Sequence, residues 1–192
     1  MQDTRLRAGT ERTARRLLRG AALGALLLAG VSCEAQGRPA VREIPKAPAA
    51  STLVHRRAPE FARRDLVGRR IDLKAYRGKV VLLNFWATWC GPCLVELPRF
   101  AAWQREHGAQ GLQVLAVSMD DSATPVKRLV KTLKPGFPVM MGDAALGRQY
   151  GGVLGLPVTF VIGRDGRIAE RLEGGADLPA LEQTLKTLLA KH

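Results

Sequence analysis

The stretch that most narrows what this chain can fold into is KVVLLNFWA, residues 79–87. A strand with one wet face alternates apolar and polar residues, whereas a run that stays apolar at nearly every position must be covered on both faces. It therefore belongs in the middle of a sheet sandwiched between other elements. Directly after it come Cys90 and Cys93, separated only by Gly91 and Pro92, and then LVELPRFAAWQREHG, in which Leu94, Leu97, Phe100, Ala101 and Trp103 recur at helical spacing. The cysteine pair thus falls where a buried central strand hands over to a helix.

The elements around that junction read as an α/β domain. DLVGRRIDLKAY predicts a short hairpin around Gly68 and a helical turn. LQVLAVSMD predicts a second buried strand, SATPVKRLVKTLK a helix, FPVMMG a short strand and DAALGRQYG a short helix. VTFVIG and RIAERLEG, joined by the turn RDGR, predict a β-hairpin, and DLPALEQTLKTLLAKH an amphipathic terminal helix. Pro98 should kink the helix that follows the cysteines, and Gly108 should stop it, with His107 in its last turn. A β-α-β unit followed by a hairpin and a helix implies one mixed sheet with helices on both faces and an N-terminal hairpin extension. The sequence shows no internal repeat.

The position of the cysteines bears on their chemistry. Backbone N–H groups and the dipole at a helix N-terminus favour negative charge, so the Cys90 thiol can ionise below the free value of about 8.5. Cys90 is the candidate nucleophile. Cys93, one turn on and more enclosed, can attack a mixed disulfide on Cys90 and close a Cys90–Cys93 disulfide. A purely structural bridge is the alternative, but it would close a four-residue loop and remove little unfolded-chain entropy. Cys33 is the only other cysteine, and His55, His107 and His192 are the only histidines; none stands at the spacing of a zinc finger, so no metal is expected.

The formal charge of +13 raises the question of nucleic acid. By segment it divides into +4 over residues 1–33, +3 over 34–58 and +6 over 59–192. Part of the excess lies before the domain, and the rest is dispersed among Asp and Glu with no basic stripe interleaved with aromatics, so no nucleic-acid partner is expected. Arg15, Arg16 and Arg19 precede the twelve-residue apolar stretch GAALGALLLAGV, which is short for a membrane span and reads as an export signal over residues 1–33. Its end, GVSCEA, resembles the lipobox of bacterial lipoproteins, which would acylate Cys33, although Gly30 stands where that box usually has leucine. Cleavage after Ala35 and an uncleaved anchor remain alternatives, and ARRLL faintly resembles a twin-arginine signal. All of them send the following domain across the membrane. Residues 34–57, rich in Pro and Ala, read as a linker whose basic residues can also lie against anionic headgroups, and residues 58–192 as the domain.

Over about residues 58–191 the chain resembles the thioredoxin superfamily, and within it the TlpA/ResA-like branch of membrane-tethered bacterial thiol–disulfide oxidoreductases. The likeness rests on APEF, YRGKVVLLNFWATWCGPCLVELP and GLPVTFVIGRDGRI. It implies a thioredoxin fold, a redox-active Cys90–Cys93 pair, no bound cofactor, and a cis-proline at Pro157 that turns Leu156 toward a docking peptide. Trp89, Gly91 and Pro92 would complete the substrate surface. Cytoplasmic thioredoxin has a buried aspartate six residues before its first active cysteine; Asn84 stands here instead. A carboxyl reappears at Glu96, on the same side of the helix as Cys93 and where ResA-like proteins also have a glutamate. There it could take and return the Cys93 proton; a solvated first-turn glutamate is the alternative. The resemblance further implies protein thiol or disulfide substrates, a membrane electron donor of the CcdA/DsbD type, a reductive role as in cytochrome c maturation, and a monomer tethered through its N-terminus.

Competing readings on the same fold are a Sco-like copper chaperone, which would want CxxxC and a distant histidine, and a peroxiredoxin-like peroxidase, which would want threonine where Ala87 stands. Trp86 and Trp89 read as packing and an apolar rim, Met140 and Met141 as core filler, and the acidic pair in MDD, residues 119–121, as a helix N-cap.

Overall fold

In the computed structural model of the chain, residues 53–191 are described. Cys33, the signal over 1–33, His192 and most of the 34–57 linker lie outside the described residues. A hairpin of β1 (Ala62–Arg64) and β2 (Arg70–Asp72) turns at Gly68, which takes a left-handed φ of 90°, and leads into a 3-10 turn over Leu73–Tyr76. Then follow β3 (Val80–Trp86), α1 (Gly91–His107), β4 (Leu112–Ser118), α2 (Ala123–Leu133), β5 (Val139–Met141), α3 (Ala144–Gln149), β6 (Val158–Ile162), β7 (Ile168–Glu173) and α4 (Leu178–Leu189). Five of these strands form one sheet in the order β5-β4-β3-β6-β7. β3 runs parallel to β4, and β4 to β5; β6 is antiparallel to β3 and to β7.

The run of β3, apolar but for Asn84, is the central strand, buried at all seven positions. Its side chains alternate between two core layers. Val80, Leu82 and Trp86 meet Leu97, Phe100 and Trp103 of α1, Val126 of α2 and Leu181, Leu185 and Leu189 of α4. Val81, Leu83 and Phe85 meet Phe160, Leu146, Tyr150 and the N-terminal residues Leu53, Phe61, Ile71 and Leu73. Each fully buried side chain of this size contributes about 1.5–3 kcal/mol. Helices cover both faces as expected, but unequally: three on one side, and on the other the short α3 together with the N-terminal hairpin. Met140 is fully buried, and Met141 packs at the edge of the first layer.

The N-terminal stretch does more than cover a face. Residues 55–57, at the end of the segment read as linker, bond to the start of β7: His55 N–H donates to Ile168 O at 2.7 Å and Ile168 N–H to Arg56 O at 2.9 Å. Leu53 is buried beneath them, so packed chain begins before residue 58. At the other side of the sheet, Asp65 bridges Met140 and Leu66 N–H donates to Val139 O at 2.9 Å. Arg164, in the β6–β7 turn, donates to the carbonyls of Gly78, Gln110, Leu189 and Lys191, at 2.8, 3.1, 3.1 and 2.9 Å.

α1 ends as expected, with His107 in its last turn and Gly108 as its C-cap; a 3-10 turn follows, and Gly111, at φ 101°, reverses the chain. One local expectation is corrected: the acidic pair at 120–121 does not cap α2. Ser122 does, accepting from Thr124 N–H at 3.3 Å, because Asp120 is drawn inward by other partners.

Candidate functional site

β3 delivers the chain to the rim of the sheet, and α1 begins at once. Cys90 is the N-cap of α1, and its Sγ accepts from the Cys93 backbone N–H at 3.3 Å. The two sulfurs are joined as a disulfide, with Cα atoms 5.3 Å apart. Both cysteines are buried, Cys93 completely, while Gly91 and Pro92 between them are exposed. A Cβ built on Gly91 would meet no atom within 4 Å, so the chain between the two cysteines faces open space. Pro92 occupies the first turn of the helix, where its missing N–H costs nothing.

Glu96 lies one turn beyond Cys93 and is only 3% exposed. Its Oε1 accepts from Ala176 N–H, in the β7–α4 loop, at 2.7 Å, whereas Oε2 is buried without a partner. Burial pushes its carboxyl above the usual range, and the Ala176 N–H offsets only part of that. At (i, i+3) on a helix the side chains of Cys93 and Glu96 are neighbours. The solvated first-turn glutamate is thereby set aside.

Asn84, in the centre of β3, donates from Nδ2 to Thr159 Oγ1 at 2.9 Å, across the register pair that joins β3 to β6. β6 starts just after Pro157, and the Leu156–Pro157 bond is cis. Leu156 lines a hollow of about 340 Å³ with Trp89, Met119, Val153, Leu154 and Gly155. The two tryptophans thus part company. Trp86 points from β3 into the core, whereas Trp89 is 71% exposed on the loop before Cys90. Leu154 is wholly exposed and Val95 largely so, giving the disulfide an apolar surround.

One cluster has no counterpart in the sequence reading. Asp120, buried after β4, accepts from Thr88 N–H at 3.0 Å, from the Thr88 hydroxyl, and from the Ser118 hydroxyl at 2.7 Å. It ties the loop that carries Trp89 and Cys90 to the end of β4. An acidic doublet before a helix looks like a cap, and only the fold brings Thr88 within reach. Asp120→Ala should leave those donors unpaired and destabilise the domain by about 1–3 kcal/mol, as read from urea unfolding midpoints; an unchanged midpoint would mean that water replaces the carboxylate.

The grouping of three possible metal ligands found among the described residues, Glu106, His107 and Glu182, lies away from the disulfide. Glu182 there is already paired with Arg99 and Lys186.

The AhpC/TSA family is matched over residues 54–171. The thiol-disulfide oxidoreductase ResA of Bacillus thuringiensis subsp. konkukian is 34% identical over 135 residues, covering 70% of this chain and 78% of that protein. This chain belongs to the ResA-like thiol-disulfide oxidoreductases of the AhpC/TSA family. Solved structures agree with that membership. A Chlorobium tepidum protein described as a thiol:disulfide interchange protein DsbE superposes with a TM-score of 0.66 at 34% identity, covering 70% of this chain and 96% of its own. The exposed lipoprotein thioredoxin Etrx1 of Streptococcus pneumoniae superposes with a TM-score of 0.60 at 31% identity, over 68% of this chain and all of its own. The fold is the thioredoxin fold, and the chain is a thiol-disulfide oxidoreductase.

Proposed function

We propose that this oxidoreductase reduces protein disulfides on the extracytoplasmic side of a bacterial membrane, with Cys90 as the attacking sulfur. The observation that carries the reading is the place of Cys90 at the N-cap of α1, beside an exposed apolar hollow. In the reduced protein the Cys90 thiolate attacks a substrate disulfide, forming a mixed disulfide and releasing one substrate thiolate. Cys93 then loses its proton to Glu96 and attacks the Cys90 sulfur; the second substrate thiolate leaves and the Cys90–Cys93 bond forms. Two electrons pass to the substrate. Trp89, Gly91, Pro92, Leu156 and Pro157 form the surface on which the substrate segment lies.

The export-type N-terminus over residues 1–33 supports the compartment, and the lipoprotein named among the similar structures supports acylation of Cys33 over cleavage after Ala35. Among the described residues no helix is long and apolar enough to cross a membrane. The domain is then a monomer tethered through its linker, rereduced by a donor of the CcdA/DsbD type and serving cytochrome c maturation or a similar thiol-dependent assembly. The pair CxxC argues against a Sco-like copper chaperone, and the buried Ala87 supplies no hydroxyl for a peroxidatic site.

Direction of flow is measurable. Gly91 and Pro92 bring no cation that would hold Cys90 as a very stable thiolate and so make the disulfide a strong oxidant. In glutathione buffers the potential should fall nearer about −270 mV, as for thioredoxin, than about −120 mV, as for DsbA; a value at the DsbA end would reverse the proposed direction. Cys93→Ala in cells, followed by mass spectrometry of trapped mixed disulfides, names the substrate and tests the role as a whole.

A further inference from the structure

The charges of this domain are sorted along the axis of its sheet. At the disulfide end, residues 87–96, 119–124, 151–157 and 174–178 include Glu96, Asp120, Asp121 and Asp177 but no Lys or Arg, and Arg63 near the end of β5 is neutralised by Asp143 at 2.7 Å. The opposite end, where β3 starts and β6 turns into β7, gathers Arg56, Arg57, Arg77, Lys79, Arg164, Arg167 and Lys191 against Glu60 and Asp165. Backbone pairing places these basic residues together. Arg57 bridges Arg167, whose Nη1 donates to His55 O at 2.9 Å; Gly78 N–H donates to Arg164 O at 3.0 Å; and Arg164 reaches Lys191 O. Arg77 pairs with Glu60, and Arg167 stands 3.8 Å from Asp165. Arg56, Arg57, Lys79 and Lys191 are exposed, and none of them is in a salt bridge among the described residues. A hollow of about 340 Å³ between His55, Arg164, Arg167 and Lys191 opens on this pole.

Neighbouring cations with no carboxylate partner among the described residues repel one another over a Debye length of about 8–10 Å and contribute little to folding. They suit an extended anionic surface. The chain also enters the domain here: His55–Arg57 run beside β7, and the residues before them carry Arg38, Arg42, Lys46 and the apolar stretch at 20–31.

We propose that the basic pole seats reversibly on anionic lipid headgroups, with the disulfide facing away from the bilayer while docked and free to meet its membrane electron donor when the pole lets go. The seven residues of β3 separate the two ends by roughly 20 Å at about 3.3 Å per residue. The inference rests on the membrane-side placement proposed above.

The test protein is residues 53–192. Both core layers lie within the described residues, and the Chlorobium chain, 96% of which is matched by 70% of this one, is a folded domain of the same extent. Sedimentation with vesicles of phosphatidylcholine containing about one-third phosphatidylglycerol should carry the domain down at low salt, and raising salt toward about 0.5 M should release it. Vesicles of phosphatidylcholine alone should not bind it. Reversing three charges, as Arg56→Glu, Arg57→Glu and Lys191→Glu together, should weaken binding by about a hundredfold or more, since each basic residue near such a surface is worth roughly fivefold. The melting temperature and the disulfide-reductase rate of that variant should not change. Trp89, exposed at the far end, should keep its emission and escape quenching by brominated lipids while the domain is bound. Equal binding to neutral vesicles, equal binding by the triple variant, or lipid quenching of Trp89 would overturn the proposal. So would tighter binding to an oligonucleotide than to the vesicles at the same salt. The reductase rate, measured on the same samples, reports the disulfide chemistry separately from the docking.

Discussion

Cys90→Ala is expected to abolish thiol–disulfide exchange, and Cys93→Ala to leave a protein that attacks a substrate once and stays joined to it. The asymmetry comes from where α1 begins. The Cys90 sulfur sits at the N-cap, where unpaired helix N–H groups stabilise a thiolate, and it accepts one of them from Cys93. The Cys93 sulfur is fully buried one turn further in, where a thiolate is less favoured. In the reduced protein at neutral pH, Cys90 should therefore react with iodoacetamide roughly tenfold faster than Cys93, or more. Peptide mass spectrometry of a time course reads the two rates. Equal rates would remove the case for Cys90 as the attacking group, even if both single variants were inactive.

Glu96→Gln is expected to slow exchange by about a hundredfold or more, the lower end of what a positioned acid–base group contributes, and to flatten one limb of the pH–rate profile. The amide can still accept the Ala176 N–H, so the fold should persist. Stability should move the other way. Burial raises the Glu96 carboxyl in the folded chain above its unfolded value of about 4.3. Its protonated form therefore favours folding fully below that value, and the contribution is lost as pH rises through the folded value. The wild-type protein carries the cost of a buried carboxylate at neutral pH and the Gln variant does not. Melting temperatures should agree near pH 4 and separate at pH 7, with the variant higher. An unchanged rate profile would reduce Glu96 to a partner of the β7–α4 loop. A variant less stable at pH 7 would show that the carboxylate is better solvated than its burial implies.

What could be read in advance was whatever one stretch of chain decides by itself. The run at 79–87 had to be a doubly covered strand because it does not alternate, and that placed the cysteines at a strand–helix junction. Glu96 followed from helical spacing to Cys93. Pro157 and its cis bond came through the likeness of GLPVTF to a family pattern, not through any physics of the local sequence. Other features needed chain folded in three dimensions. Asp120 looked like a cap because Thr88, its partner, is 32 residues away. Trp86 and Trp89 looked alike until one was placed on a strand and the other on a loop. Leu154 gives no sign in sequence of being fully exposed beside Trp89. Residues 55–57 are polar and basic enough to resemble linker, yet they join the sheet through backbone groups, which do not depend on side-chain character.

The pairing of residues 55–57 with the start of β7, and of residues 65–66 with β5, has a bearing on the company this enzyme keeps. In the role proposed above, the protein would meet incompletely folded clients, whose extended segments seek any row of free N–H and C=O groups. An unguarded sheet margin would capture such segments or pair with a second copy. Here one continuous N-terminal stretch blocks both margins in part, and the portion of β7 beyond it, from Ala169 to Glu173, carries Glu170, Arg171 and Glu173. Charged residues on an edge discourage strand addition. In that role the enzyme would dwell among aggregation-prone chains and touch them chiefly at the surface around its sulfurs.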